Sequence, residues 1–196
     1  MPQPSPTETI QQEKADLRRR LLKARQAIPE ALWRQKCDRI CHHLRQWDVF
    51  QRSRIVLAYC SFRKEPDLSP LFYPPRFWGL PRCEGPAMVW HYWQANSRWP
   101  LSKGAYGIVE PHPRSPQVDP AHVDLILVPA VACDVRGYRL GYGGGYYDRM
   151  LSQRRWNQIP TVGILFEYAR LPSLPHNAWD RPLQGVCTES GLFLPS

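Results

Sequence analysis

The segment Arg139-Leu-Gly-Tyr-Gly-Gly-Gly-Tyr-Tyr-Asp148 gathers a cation, a run of glycines, several tyrosines and a carboxylate into one short stretch. Glycines 141, 143, 144 and 145 permit positive φ and a close approach of backbone to a ligand. Successive backbone N–H groups in such a turn converge on an anion, Arg139 adds positive charge, and Asp148 is suited to hold a metal. These residue types together point to a nucleotide-phosphate site. The spacing excludes two common glycine motifs: Gly-x-Gly-Gly-Gly is neither the Gly-x-Gly-x-x-Gly of a Rossmann turn nor the Gly-Lys-Ser/Thr ending of a P-loop.

The elements around the segment should position it. Val123-Asp-Leu-Ile-Leu-Val-Pro-Ala-Val-Ala132 reads as a buried strand before the loop, and Tyr146-Tyr-Asp-Arg-Met-Leu-Ser152 as a helix after it. Asp134 and Gly137 mark a turn between strand and loop. Helical spacing of Leu17, Leu21 and Leu22 predicts a first helix from about Glu13 to Ala27, with Lys14 and Arg18 four residues apart on one face. Pro29 opens a second helix, where Trp33, Cys37, Ile40, Cys41, Leu44 and Trp47 form an apolar stripe. Further strands are expected over 54–60, 77–80, 87–93, 160–166 and 185–188. Continuous apolar strands alternating with helices predict a mainly parallel sheet covered on both faces, with ligands beyond the carboxyl ends of the strands. Residues 1–12, polar and proline-rich, are expected to form a flexible tail, and 13–196 one domain.

Composition narrows the function classes. In 196 residues, 43% are apolar and 12% aromatic, which suits a folded domain with a sizeable core. The formal charge of +9 suits an anionic partner: nucleic acid, membrane lipid, ATP or a polyglutamated small molecule. Most of the N-terminal cations, Lys23 and Arg25 among them, read as a solvated helix face. Six cysteines without a Cys-x-x-Cys pair are expected as free thiols in a reducing cytoplasm. Cys37, Cys41, His42 and His43 lie close together on the second helix, where core packing with surface histidines competes with metal binding. No apolar run approaches the ~20 residues that would span a bilayer.

Several stretches, in order, resemble one family. Lys14-Ala-Asp-Leu-Arg18, Tyr59-Cys-Ser-Phe-Arg-Lys-Glu65-Pro-Asp67, Gly104-Ala-Tyr-Gly-Ile-Val-Glu-Pro111, the glycine segment and His176-Asn-Ala-Trp-Asp180 are similar to those of 5-formyltetrahydrofolate cyclo-ligases. The resemblance extends over most of residues 14–190. It implies a three-layer α/β/α sandwich with an N-terminal helical hairpin. It also implies an ATP- and Mg²⁺-dependent enzyme that phosphorylates the formyl oxygen of 5-formyltetrahydrofolate. A neighbouring aryl amine then closes the ring to 5,10-methenyltetrahydrofolate, with ADP and phosphate released. Such chemistry asks the protein to align reactants and neutralise charge.

The resemblance also assigns residues. Arg18, Arg139 and Tyr147 are implied as catalytic. Lys14, Arg18, Arg139, Leu140, Gly141, Tyr142, Gly143, Gly144, Gly145, Tyr146 and Tyr147 are implied to bind ATP. Folate contacts fall to Arg18, Cys60, Glu65, Tyr142, Gly143, Gly144, Gly145 and Tyr146, and Mg²⁺ to Asp148 and Asp180. Each role has a bland counterpart. Tyr147 suits the core equally, Cys60 packs, Asp148 steadies a helix start, Asp180 serves a turn, and Glu65 pairs with Arg63 or Lys64. Gly144 stands where some members carry lysine. The expected partners are small molecules, with neither nucleic acid nor membrane, and the expected state is a cytoplasmic monomer. Two rival readings remain open at this point: a basic nucleic-acid-binding protein, and a sugar-phosphate isomerase-like enzyme on a related scaffold.

Overall fold

The computed structural model describes residues 5–104 and 107–194, so Ala105 and Tyr106 of the Gly104–Pro111 stretch lie outside the described residues. The chain opens with helices α1 (Pro6–Gln26), α2 (Glu30–Gln46) and α3 (Asp48–Arg52). Strands β1 (Ile55–Leu57), β2 (Phe77–Glu84), β3 (Ala87–Trp93), β4 (Ser102–Lys103) and β5 (Val109–Glu110) follow. Next come β6 (Leu125–Pro129), β7 (Ala132–Asp134), β8 (Arg139–Leu140) and helix α4 (Tyr146–Leu151). The chain continues through β9 (Thr161–Ile164), β10 (Arg170–Leu171), β11 (Val186–Thr188) and β12 (Gly191–Phe193).

Helix α1 reaches into the segment expected as a tail. Its first turn is fixed by Ser5 and Glu8: the Glu8 amide donates to the Ser5 hydroxyl at 3.3 Å, and the Ser5 amide donates to the Glu8 carboxylate at 2.7 Å. This reciprocal cap, with Pro6 at the first helical position, satisfies donors that would otherwise fray the helix start.

The main sheet has the order β12-β11-β9-β6-β1-β2-β3, with parallel pairs from β11 to β2 and an antiparallel strand at each edge. Alternation along the central strands sorts their side chains onto two faces. Leu57, Ile126 and Val128 pack with Leu17, Leu21 and Leu22 of α1 and Met150 and Leu151 of α4. Val56, Ala58, Leu125, Leu127, Val162 and Ile164 pack with Cys37, Ile40, Cys41 and Leu44 of α2 and Phe50 of α3. The result is the expected three-layer α/β/α arrangement with a mainly parallel sheet. The stripe on α2 is core, and burial pushes the Cys37 and Cys41 thiols up to about 12, leaving them neutral packing groups. Trp78, Trp90 and Trp156 are likewise core residues, and only Trp179 is exposed among the eight tryptophans. Tryptophans so placed are structural, which removes the aromatic argument for nucleic-acid binding. Among the described residues no helix is long and apolar enough to cross a membrane.

A second, three-stranded sheet delivers the chain to the glycine segment. Strand β7 pairs antiparallel with β8 and parallel with β10. The turn between β7 and β8 is organised by Asp134, whose side chain is fully buried. It accepts from the backbone amides of Arg136, Tyr138 and Leu174, each at 3.0 Å, and pairs with the Arg136 guanidinium. Gly137 completes the turn at φ +85°, and a Cβ there would lie 2.1 Å from the Leu183 carbonyl oxygen. Asp134→Ala leaves buried donors without an acceptor, so it should cost about 2–4 kcal/mol of stability. Urea unfolding of wild type and variant measures this, and a loss below about 1 kcal/mol would contradict the role given to Asp134.

Candidate active site

The glycine loop runs from the end of β8 to the start of α4. Gly143 and Gly145 have φ of +104° and +67°, so glycine is demanded at these two positions. Helix α4 is only 6 residues long. Its dipole is therefore a small part of any attraction for anions, and side-chain cations carry more of it. Arg18 of α1 ties the loop down: its Nε donates to the Gly141 carbonyl at 2.7 Å. Its guanidinium lies 3.8 Å from where a Cβ on Gly143 would be. A Cβ on Gly144 would come within 3.0 Å of the Tyr146 ring. A side chain at 144 therefore requires that ring to shift, and the tyrosine packing here is matched to glycine.

Charges on this wall are paired. Arg139, with a side chain 5% exposed, grips Asp148 through two parallel hydrogen bonds of 2.9 and 3.1 Å. Lys14, also buried, pairs with Asp180, which is held as well by the Asn177 amide at 2.8 Å. The Arg181 amide reaches Asp148 at 3.5 Å, so the two carboxylates belong to neighbouring parts of one wall. Two carboxylates beside a glycine-rich loop would suit Mg²⁺, which takes one or two carboxylates and completes its shell with phosphate oxygens and water. Tyr147 lies beneath Arg139, its ring centroid 5.4 Å from the guanidinium carbon and its ring edge-on to Trp90. Its hydroxyl is buried without a hydrogen-bond partner among the described residues, and burial raises its pKa far above the usual phenol range. What Tyr147 offers at the site is a ring that orients Arg139.

The loop after β1 supplies the other side. Tyr59 and Cys60 leave the strand, and the chain turns back through Arg63 and Lys64, both in the left-handed region at φ +48° and +56°. Lys64 closes the turn by donating to the Ile28 carbonyl at 2.5 Å, and Trp33 Nε1 donates to the Glu65 carbonyl at 3.1 Å. Neither Arg63 nor Lys64 pairs with Glu65. The Glu65 side chain is buried and accepts from the Phe62 amide at 3.0 Å. The Tyr142 hydroxyl, which takes a hydrogen bond from Arg25, lowers the Glu65 carboxyl in turn, a smaller influence than burial. Burial is the largest influence on Glu65 and pushes its carboxyl up to about 7, against the opposing pull of Arg25. Burial also lifts the Cys60 thiol to about 11, so Cys60 is a neutral wall group. Arg25, expected on a solvated face, is only 3% exposed. The packing of α1 against both loops buries it, whereas Lys23 is exposed.

One cavity of about 500 Å³ joins these parts. Arg18, Cys60, Glu65, Arg139, Tyr142, Gly141, Gly143, Gly144, Gly145, Tyr146, Tyr147, Asp148 and Asp180 all line it. Lys14 stands behind Asp180, and the Leu140 side chain packs in the core rather than lining the cavity. Sequence reasoning missed Glu110, Met88 and Trp179 on the same wall. Glu110 is buried against Arg82 and the Cys83 amide at 3.4 and 3.2 Å. Its signal was faint, a carboxylate between Val109 and Pro111 in a short strand.

Residues 10–189 match the model of a family described as the 5-formyltetrahydrofolate cyclo-ligase family. The 5-formyltetrahydrofolate cyclo-ligase of Mycolicibacterium smegmatis is 31% identical over 188 residues, covering 89% of this chain and 93% of that protein. The enzyme of that name from Haemophilus influenzae is 36% identical over 85 residues, a segment spanning 43% of this chain and 46% of the relative. Among solved structures, the Aquifex aeolicus 5,10-methenyltetrahydrofolate synthetase shares the fold with a TM-score of 0.81 at 34% identity, covering 92% of both chains.

The environment of Glu65 has a consequence for stability. Its folded-state pKa, about 7, lies above that of an unfolded carboxyl, so the folded chain holds this proton more tightly. The contribution is present below the unfolded carboxylate range and is lost as pH rises toward 7. Glu65→Gln should therefore gain on wild type by up to about 3 kcal/mol between about pH 5 and about pH 8. Urea midpoints at the two pH values check this. A difference between the two proteins that does not change with pH would exclude it.

Proposed function

The chain belongs to the 5-formyltetrahydrofolate cyclo-ligase family of enzymes, and we propose that it converts 5-formyltetrahydrofolate to 5,10-methenyltetrahydrofolate with MgATP as co-substrate. The observation that carries this reading is the single cavity in which the arginine- and glycine-lined wall adjoins the buried Glu65. A formamide carbonyl is a poor electrophile and its oxygen a poor leaving group. Attack of that oxygen on the γ-phosphorus forms an O–P bond, breaks the bond to the β-phosphate and releases ADP. The neighbouring aryl amine then adds to the activated carbon and loses its proton, and phosphate departs as the ring closes.

The residues divide this work by charge and shape. Arg18 and Arg139 neutralise phosphate oxygens, and the amides of residues 141–145 cradle the triphosphate. Asp148 and Asp180 would hold Mg²⁺, which supplies charge neutralisation between phosphate oxygens when bound. Arg139 and Lys14, paired with those carboxylates, are the cations of this wall that would turn to phosphate oxygens. Glu65 accepts from the donor edge of the pterin, a pairing that favours its ionised form, and Cys60 and Phe62 give the ring an apolar wall. No base strong enough to deprotonate a substrate is needed at the transfer step, because catalysis here is alignment and electrostatics. The same proposal has the enzyme act as a cytoplasmic monomer, where its free thiols stay reduced.

Purified protein given 5-formyltetrahydrofolate and MgATP should form the near-ultraviolet absorbance of methenyltetrahydrofolate, and omission of either MgATP component should abolish it. No such product would end the assignment. Arg18→Ala and Asp148→Asn should each lower turnover by about a hundredfold or more with native circular dichroism. Wild-type turnover in either variant would remove that residue from the site.

A further inference from the structure

Arg25 joins three segments that are distant in the chain. Its Nε donates to the Arg63 carbonyl at 3.0 Å, in the turn after β1. One Nη donates to the Tyr142 hydroxyl of the glycine loop, and the guanidinium carbon lies 5.5 Å from the Tyr142 ring centroid. The other Nη is buried with no hydrogen-bond partner among the described residues. Burial pushes the Tyr142 hydroxyl up to about 12, so it stays protonated, and the Tyr142 ring packs 6.5 Å, centroid to centroid, from Phe62, whose amide donates to Glu65. Arg25 thus donates both to the glycine loop, at Tyr142, and to the turn that carries Glu65, at Arg63. Arg25 from α1, Tyr142 from the glycine loop, Tyr59 from the end of β1 and Tyr147 from α4 are the titratable groups that act on or respond to Glu65. Arg25 is the cation in that set.

We propose that Arg25 is a positioning residue that clamps the glycine loop, through Tyr142, onto the turn after β1 that carries Glu65, so that phosphate-loop geometry and pterin recognition form one unit. The inference rests on the reading above that Glu65 meets the folate. Arg25 touches no reacting atom and acts through Tyr142 and Glu65. Its removal frees the hydroxyl of Tyr142 and takes away the positive charge nearest Glu65. Glu65 then protonates more readily, and the loop loses its tether to the loop after β1. Both changes fall on folate binding before they fall on the phosphoryl-transfer step.

The test uses the full chain with Arg25→Met, Arg25→Lys and Tyr142→Phe. Steady-state kinetics give KM for 5-formyltetrahydrofolate and kcat against pH. Carbon-13 NMR of labelled glutamate, assigned with Glu65→Gln, gives the Glu65 titration midpoint without substrate. Arg25→Met should raise KM for the folate about tenfold or more, with a smaller fall in kcat, and move the Glu65 midpoint upward. Arg25→Lys, which restores the charge, should return the midpoint toward wild type. Tyr142→Phe should raise KM while leaving Arg25 in place. A thermal midpoint lowered in Arg25→Met with KM and the Glu65 midpoint unchanged would overturn the proposal and leave Arg25 a packing residue. If Arg25→Met does not fold, an unchanged KM in Tyr142→Phe overturns it equally. A wild-type protein that forms no methenyl product refutes the functional reading instead, and the Glu65 midpoint still decides whether Arg25 governs that carboxylate.

Discussion

A charge enclosed by protein keeps its ionised form only beside a partner, because desolvation costs several kcal/mol per ion and only a close opposite charge or several hydrogen bonds offset it. Three ion pairs at the cavity follow this rule. Arg139 sits on Asp148, Lys14 on Asp180 and Arg82 on Glu110, whereas Arg18 leans on the Gly141 carbonyl. A triphosphate and a divalent cation bring opposite charges of their own. In the proposed reading they enter such a place because each group they displace is handed a new partner. In that reading the pairs do more than hold loops together: they keep cations and carboxylates ready at the positions where phosphate and metal would need them.

The fold makes that arrangement rigid. Parallel strands buried on both faces end at the cavity, with Tyr59 and Cys60 beyond β1 and Pro129 at the end of β6. The Asp134 hub fixes the turn that feeds β8 into the glycine loop. Helix α1 crosses this end of the sheet with its leucines in the core and Arg18 and Arg25 against the loops. One helix thus contacts both walls of the site, so an error in its placement would disturb both loops together.

The strands and the glycine segment were legible because their signals are local. Continuous apolar runs mark buried parallel strands, and glycines at positive φ mark the loop. The helix start at Pro6 was also written locally, in Ser-Pro-Thr-Glu, but proline-rich composition masked the cap. The edge hairpin of β2 and β3 was harder to read: its strands were recognised, but their antiparallel pairing around Gly85 was not. Arg25 shows a different limit. Lys14, Arg18, Leu21 and Arg25 share one helical face, a spacing that hints at common burial. The loops that bury Arg25 come from residues 63 and 142, however, and no local pattern announces them. Leu140 shows the converse, since its place inside the glycine signature suggested a ligand contact that strand alternation turns into the core.

Charge pairing, loop geometry and the carboxylate pocket converge on one claim, that the site aligns a γ-phosphate with the formyl oxygen of a folate. The fate of that oxygen tests the claim most directly. With substrate carrying oxygen-18 in the formyl group, and MgATP in excess, the account predicts that the label leaves in the released inorganic phosphate and that none remains in methenyltetrahydrofolate. Inorganic phosphate free of label, formed alongside cyclised product, would contradict it.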